Sequence, residues 1–175
     1  IKIILQQFFQ NYGLTAIFVA GILESLLLVS QYFPGGFLII LGVISAGDDI
    51  FRIVVIISVA VLGFLIGYCA DYLIGKHGLY QLFLKLGFKK SLSKYEKLLE
   101  RHAFKTILVS NWDSHFASVA STAAGILRLK FRKFFFYTVI SSIIWNALWG
   151  VVIYSLGAAA VNLIGFKSVL FLLTI

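Results

Sequence analysis

The chain has little charge, one cysteine and one proline, and each shortage narrows the class of protein. Charged residues make up 13% of its 175 residues, against roughly 25% in soluble domains, whereas hydrophobic residues make up 61%. The mean hydropathy of +0.99 is correspondingly high. The composition therefore argues against an ordinary soluble domain and indicates a polytopic membrane protein. The length suits a single domain.

The low content of cysteine and methionine leads to two further expectations. One cysteine cannot form a disulfide within the chain, and Cys69, which lies in an apolar run, is interpreted as a packing residue. Methionine is absent, the chain begins at Ile1, and it stops within an apolar run. We expect that both ends are trimmed and that residues 165–175 begin a further span.

Acidic residues number only seven, and three of them stand inside apolar stretches. These three are Glu24, Asp71 and Asp113. A carboxylate at mid-bilayer costs roughly 2.5–3.5 kcal/mol, and such groups usually line an ion, proton or substrate path. No Lys or Arg lies in the same stretches to pair with them. A transporter is therefore the first hypothesis.

Each of these carboxylates has a structural alternative. Burial of Glu24 without a cation favours its neutral form, which makes it a candidate for proton binding and release near neutral pH. Glu24 could instead hydrogen-bond the broken backbone of a neighbouring element. Asp71 lies near the end of its apolar run, so a solvated carboxylate at the membrane interface is its alternative.

Basic residues are concentrated in two segments, although the net charge of +8 could by itself suggest nucleic-acid binding. Twelve of the fifteen fall there: Lys76, Lys85, Lys89, Lys90, Lys94, Lys97, Arg101 and Lys105, then Arg128, Lys130, Arg132 and Lys133. Both segments border apolar runs, as the positive-inside rule describes. We therefore place residues 76–105 and 128–133 in the cytoplasm, where they can contact anionic lipid headgroups, and predict no nucleic-acid partner.

Four apolar regions define the predicted topology. Residues 53–74 and 134–160 are each long enough to cross a bilayer. Residues 14–47 are interrupted at positions 31–36, and residues 106–127 at positions 110–115. Basic residues flank both ends of the second interrupted region, which predicts a re-entrant hairpin that enters and leaves on the cytoplasmic side.

This order predicts an all-α polytopic membrane protein built from two inverted repeats. Each repeat is a broken re-entrant hairpin followed by a transmembrane helix, and residues 76–105 between them form a basic, amphipathic cytoplasmic segment. Interrupted apolar segments at corresponding places in two halves indicate a transport site at the repeat interface.

Proline and glycine mark the first hairpin turn and one helix face. Pro34, Gly35 and Gly36 allow an apolar helix to reverse, the alternative being an ordinary loop between two spans. Small residues also recur at multiples of four in the following span, where they permit close helix packing and direct Asp71 toward another helix. They are Gly63, Gly67 and Gly75.

The interruption at positions 110–115 contains Asn111, Asp113, Ser114 and His115. Three consecutive residues rarely form a Ser-His-Asp chain of contacts, so a hydrolase is the weakest hypothesis. Metal binding is likewise not predicted, because two ligands in a row of three carry little specificity. We expect a polar lining of the hairpin tip, with His115 as a proton relay. No cofactor is predicted.

The chain resembles the DedA family, also called SNARE-associated or VTT-domain membrane proteins, over about residues 14–157. Residues that carry the resemblance are Glu24 ahead of Pro34-Gly35, Gly67 through Tyr72 with Gly75, Lys76 and Gly78, Ala124-Gly125 before Arg132-Lys133-Phe134, and Trp145. The resemblance implies two opposed re-entrant hairpins and movement of phospholipids or polyprenyl-phosphate lipids between leaflets, in some members with proton coupling.

The chain departs from the family pattern at several positions. Gly36 and Tyr68 replace acidic residues, and the two arginines of the second hairpin correspond to Asn111 and Ala117, with Ser114 in place of a proline. An arginine pair is suited to holding phosphate, so its loss bears on the substrate.

The leading hypothesis is a lipid translocase whose path is lined by Glu24, Asp71, Asn111, Asp113 and His115, with Gly63, Gly67, Gly75 and Gly125 packing its helices. Membrane lipids are the expected partners, together with a second copy or a larger membrane complex. The alternatives are a non-transporting structural subunit of a membrane complex and a small-ion or solute transporter.

Overall fold

The computed structural model describes residues 2–30, 32, 36–46, 49–77, 85 and 89–156. Within these residues the secondary structure is helical, with no strand. The helices are α1 (Lys2–Ser25), α2 (Gly36–Ala46), α3 (Ile50–Lys76), α4 (Lys89–Ser110), α5 (Ser114–Ile126) and α6 (Phe131–Leu156). The all-α prediction is confirmed for this part of the chain.

Among the described residues, two helices are long and apolar enough to cross a membrane, namely Ile50–Lys76 and Phe131–Val152. They contain most of the spans predicted at 53–74 and 134–160. The Asp49 carboxylate begins α3 by accepting the Arg52 backbone N–H at 3.0 Å, as an N-cap residue does. Positions 157–160 and the further span expected at 165–175 lie outside the described residues.

Helix α1 runs parallel to α3 because small residues let the two backbones approach. Gly21 faces Ala60 and Gly63, and a Cβ atom on Gly63 would lie 2.5 Å from the carbonyl oxygen of Phe18. Further along, Gly67 leaves room for the side chain of Ser25. The first helix is thereby held along most of the length of α3.

Helix α5 packs against the other end of α3 in the same way. Gly75 faces the Thr122 carbonyl and Gly125 faces the Tyr72 carbonyl, each so closely that a Cβ atom would overlap the neighbouring backbone. The ring of Tyr72 stacks on Phe134 with centroids 4.6 Å apart, which adds the start of α6 to the same core.

Two helical hairpins, α1 with α2 and α4 with α5, lie toward opposite ends of α3. The middle of α1 and the second half of α2 meet the first part of α3, where Gly42 lies between Ile17 and Ile56. The end of α5 lies beside Gly75, at the other end of α3. The turn after α1 and the start of α5 therefore meet beside the second half of α3.

The helix breaks differ in part from those in the sequence prediction. Helix α1 ends at Ser25, five residues before the interruption predicted at 31–36, and α2 begins at Gly36. Pro34 and Gly35 lie outside the described residues. The second break, from Asn111 to Asp113, lies within the predicted interval 110–115.

Helix α4 is longer than expected. The basic, amphipathic segment was predicted to end at residue 105, but α4 extends to Ser110 and joins this segment to the first arm of the second hairpin. It kinks at His102, whose φ and ψ are −145° and 60°. Leu92 and Leu99 are buried on one face, while the lysines of this segment whose side chains are described are exposed.

Candidate functional site

Glu24 lies where the two hairpins meet. It is in the last turn of α1, and its Oε1 accepts the Ser114 hydroxyl from the first residue of α5 at 3.1 Å. The carboxylate also lies beside the start of α2, since a Cβ atom on Gly36 would be 3.6 Å from Oε1. Three helix ends thus converge on one carboxylate.

The second carboxylate oxygen of Glu24 is buried and has no hydrogen-bond partner among the described residues. The groups there that interact with this carboxylate are Ser114, the Gly36 backbone and Asp113, and none of them is a cation. A buried anion without a cation is costly, whereas a neutral carboxylic acid is tolerated. This arrangement suits a side chain that takes up and loses a proton.

Asp71 is 2% exposed and reaches the same region from α3. Its Oδ1 and Oδ2 accept the Leu27 backbone N–H at 3.2 and 3.1 Å, directly after α1 ends. The alternative of a solvated interfacial carboxylate is therefore wrong. Asp71 satisfies a backbone donor released by the helix break, at Leu27, three residues after Glu24.

Helix α5 supplies the remaining contacts of this cluster. The Ser118 hydroxyl donates to the Ser25 carbonyl at 2.7 Å, which satisfies an acceptor at the end of α1. The Nδ1 atom of His115 lies 3.3 Å from the Ser30 hydroxyl in the turn of the first hairpin. We call Glu24, Ser25, Asp71, Ser114, His115 and Ser118 the inter-hairpin cluster.

Asp113 has a local role at the second break. Its Oδ1 accepts the backbone N–H groups of His115 and Phe116 at 3.0 and 3.4 Å, so it is the N-cap of α5. The side chain is exposed beside the cluster. An aspartate directly before a helical segment is a recognisable capping pattern, so the sequence carried the signal for this role.

Asn111 is not brought to the cluster. Its Oδ1 accepts the Ser142 hydroxyl at 3.1 Å and its Nδ2 donates to the Ile107 carbonyl at 2.9 Å, which ties the second hairpin tip to α6. Trp112 continues this attachment, because its ring contacts Trp145 and Trp149 at centroid distances of 4.8 and 5.3 Å.

The sequence did not reveal the contacts made by serine and tyrosine side chains. The Tyr72 hydroxyl donates to the Leu129 carbonyl, 57 residues away, and Ser118 reaches across 93 residues to Ser25. No local pattern predicts such long-range pairs. Within the described residues, no group of three or more His, Cys, Asp or Glu side chains could hold a metal ion.

Comparison with known proteins agrees with this architecture. The VTT domain family matches residues 33–155, well over half of the chain. An uncharacterized membrane protein of Buchnera aphidicola subsp. Acyrthosiphon pisum is 30% identical over 142 residues, which cover 79% of this chain and 55% of the relative. The chain therefore spans about half the length of that relative.

No solved structure gives a significant match to this chain. The family resemblance inferred from Glu24, the glycine-rich span and the Ala124-Gly125 pair is confirmed by the match to the domain family. This chain belongs to the VTT-domain family of membrane proteins, the DedA or SNARE-associated family.

Proposed function

We propose that this protein is a lipid translocase in which the inter-hairpin cluster lines the path of the headgroup and Glu24 couples movement to a proton. The observation that carries the proposal is the Glu24 carboxylate at the contact between two helix breaks, whose buried Oε2 has no hydrogen-bond partner in the described part of the chain. Proton paths in transporters use isolated carboxylates of this kind.

The broken backbone supports a site at membrane depth. Lipid offers no hydrogen bonds, so a break in a membrane helix must be satisfied by protein or by water in a cavity. Here Asp71 satisfies the Leu27 amide, Ser118 the Ser25 carbonyl and Asp113 the first amides of α5. This arrangement suits two inverted repeats whose re-entrant hairpins meet near the bilayer midplane, with both basic segments in the cytoplasm and the chain crossing the membrane more than once.

The chemistry of Glu24 provides a cycle for opening the path. When protonated, Glu24 is neutral and the two hairpins stay in contact through Ser114. Loss of the proton leaves an anion with few donors, and an uncompensated buried charge costs several kcal/mol. Hydration of the contact relieves that cost, which separates α5 from α1 and admits a polar headgroup.

The test is translocation of fluorescent phospholipid in proteoliposomes at two pH values, with several headgroups. Glu24→Gln keeps an oxygen that can accept from Ser114 but cannot lose a proton. The matched control is Glu100→Gln, which removes an exposed carboxylate from α4. Size-exclusion chromatography verifies that each variant is folded.

We expect headgroup-dependent movement in the wild type and in Glu100→Gln. Glu24→Gln should lose at least about 100-fold in rate, the lower end of what a positioned proton-transfer group contributes, and should lose its dependence on pH. Movement by Glu24→Gln equal to wild type would remove Glu24 from the mechanism. No movement by any folded variant would reject the translocase.

A structural subunit of a membrane complex is the second candidate, and one observation favours it. The positions that correspond to the family's arginine pair hold Asn111, bonded to Ser142, and Ala117, which is 2% exposed. Neither residue carries a cation that could hold a phosphate group. Copurification of one stable partner, together with no transport by the purified protein, would support this candidate.

A further inference from the structure

A second polar feature lies far from the inter-hairpin cluster, at the start of α3. A cleft of about 400 Å³ opens between the middle of α1, the second half of α2 and residues Asp49 to Ile56. Cavities that bind small molecules usually measure about 300–1,000 Å³. At 1.5 Å per residue, Arg52 in its wall is about 28 Å along α3 from Asp71.

The cleft carries two opposite charges at its mouth. Arg52 and Asp49 both line it and both are exposed. One oxygen of Asp49 accepts the Arg52 backbone N–H at 3.0 Å, which fixes the carboxylate next to the base of the arginine. Thr15 and Ser45 add hydroxyl groups to the lining.

The inner part of the cleft is apolar. Ile17 and Ile56 line it at 1% and 3% exposure together with the half-buried Val55, while Leu14 and Phe51 add exposed apolar surface nearer the mouth. Gly13 and Gly42 also line it, so the wall lacks side chains at two places. A ligand must therefore be amphipathic, with a charged end at the mouth and a hydrocarbon end inside.

The depth of the cleft matches a lipid headgroup. Helix α3 has 27 residues and is about 40 Å long, which spans the roughly 30 Å hydrocarbon core and reaches into the headgroup regions. Arg52 is the third residue of this helix, so it lies at headgroup level. Arginine binds phosphate oxygens with two parallel hydrogen bonds, and a carboxylate pairs with an ammonium group.

We infer that this cleft binds one zwitterionic phospholipid, with the phosphodiester on Arg52, the headgroup ammonium on Asp49 and the start of an acyl chain along Ile17 and Ile56. The inference goes beyond the proposed function and does not depend on transport, because it concerns binding at a different place. We name this surface the Arg52 cleft.

The test measures lipid binding to the purified protein in a neutral maltoside detergent. Native mass spectrometry gives the affinity for dihexanoyl phosphatidylethanolamine and for dihexanoyl phosphatidylglycerol, which has the phosphodiester without the ammonium. Arg52→Gln removes the cation, Asp49→Asn removes the anion and keeps a good N-cap, and Gly13→Leu fills the cleft. Lys76→Gln at the other end of α3 is the control.

We expect Arg52→Gln and Gly13→Leu each to weaken phosphatidylethanolamine binding about tenfold. The first variant loses one charged hydrogen-bond donor, and the second fills the space that the ligand occupies. Asp49→Asn should abolish the preference for phosphatidylethanolamine over phosphatidylglycerol, and Lys76→Gln should change neither. Wild-type affinity in both Arg52→Gln and Gly13→Leu would overturn the site, and Asp49→Asn tests it where either variant fails to fold.

The source of the headgroup is tested by competition. Soluble glycerophosphoethanolamine carries the same charges without acyl chains. We expect it to displace the lipid only at far higher concentration, because it lacks the apolar contacts. Displacement at equal concentration would show that the cleft recognises a free phosphodiester, which would overturn the assignment to a lipid.

Discussion

Arg128 adopts a φ of +51°, a left-handed conformation that L-residues other than glycine adopt at a cost. It follows α5, where the Arg128 N–H donates to the Gly125 carbonyl at 2.9 Å and the Leu129 N–H to the Ala124 carbonyl at 3.0 Å. These two bonds close the helix end in the pattern that usually places glycine at this position. The side chain is exposed, so nothing else in the described structure requires arginine there.

We therefore predict that Arg128→Gly stabilises the folded protein by up to about 1 kcal/mol. This value is the free-energy cost of the left-handed conformation, reduced by the greater conformational entropy that glycine has in the unfolded chain. The measurement is the thermal midpoint in detergent. Arg132→Gly removes the same charge within the first turn of α6 and should lower the midpoint instead. A lower midpoint for Arg128→Gly would contradict the argument.

Asp71 allows a second prediction at this scale, because its carboxylate satisfies a buried backbone donor. Asp71→Leu leaves the Leu27 N–H without an acceptor and should destabilise the protein by about 1–3 kcal/mol. Asp71→Asn keeps one acceptor oxygen and should lose much less. Thermal denaturation of both variants tests this prediction. Equal losses of stability would show that the negative charge of Asp71, rather than its ability to accept the Leu27 N–H, stabilises the protein.

The positions of Glu24 and Asp71 within apolar helices were easier to predict from the sequence than the contacts that these residues make. The placement of Glu24 and Asp71 in apolar stretches was visible, because a charge there stands out. Their partners Ser114 and Leu27 lie 90 and 44 residues away in the chain. Such pairs depend on how whole helices dock, which no local pattern encodes. Asp113, by contrast, bonds residues two and three positions away.

At the scale of elements, α3 is the helix against which both hairpins pack. Its glycines face backbone rather than flexible side chains at Gly63 and Gly75, and Gly125 of α5 faces the Tyr72 carbonyl. Backbone cannot move aside without shifting a helix. A methyl group at any of these three positions therefore forces two helices apart.

We predict that Gly125→Ala destabilises the protein by about 1–3 kcal/mol or more, because overpacking displaces α5 from α3. Gly150→Ala is the matched control, since its added Cβ would meet only the end of the Ile57 side chain, which can rotate. The fraction of protein that remains monodisperse after heating measures the stability of both variants. If Gly150→Ala is as damaging as Gly125→Ala, backbone proximity is not the cause.

The elements themselves were predicted unevenly. The sequence runs that form α3 and α6 are long and apolar, a pattern that few structures other than a membrane-spanning helix explain. The end of α1 came earlier than predicted because Asp71 and Ser118 satisfy the Leu27 amide and the Ser25 carbonyl, so no proline or glycine is needed there. Helix α4 continues past the polar segment because its kink at His102 reorients it between a surface helix and a hairpin arm.

At the scale of the whole molecule, the two ends of α3 differ in charge. The end at Lys76 adjoins the basic segments, whereas the end at Asp49 has few cations. The positive-inside rule therefore predicts that residues 76–105 are cytoplasmic and that the Arg52 cleft faces the opposite side.

Cysteine labelling tests this orientation, because Cys69→Ser gives a chain with no other cysteine. Phe51 is 79% exposed and Lys94 is also exposed, so both tolerate replacement by cysteine. A membrane-impermeant maleimide should label Phe51→Cys in intact cells and Lys94→Cys only after permeabilisation. The reverse pattern would invert the topology, and labelling of both in intact cells would place both ends of α3 outside.

The contacts that hold α5 in place differ between its two ends. Its last turns press backbone against backbone at Gly75 and Gly125, whereas its first residue touches α1 only through the Ser114 hydroxyl and the Glu24 carboxylate among the contacts described. The C-terminal end is therefore fixed by backbone packing, whereas the N-terminal end is held by side-chain hydrogen bonds, to which Ser118 adds one to the Ser25 carbonyl. Under the proposed mechanism, loss of one proton from Glu24 weakens the attachment at the N-terminal end of α5 and leaves its C-terminal packing in place.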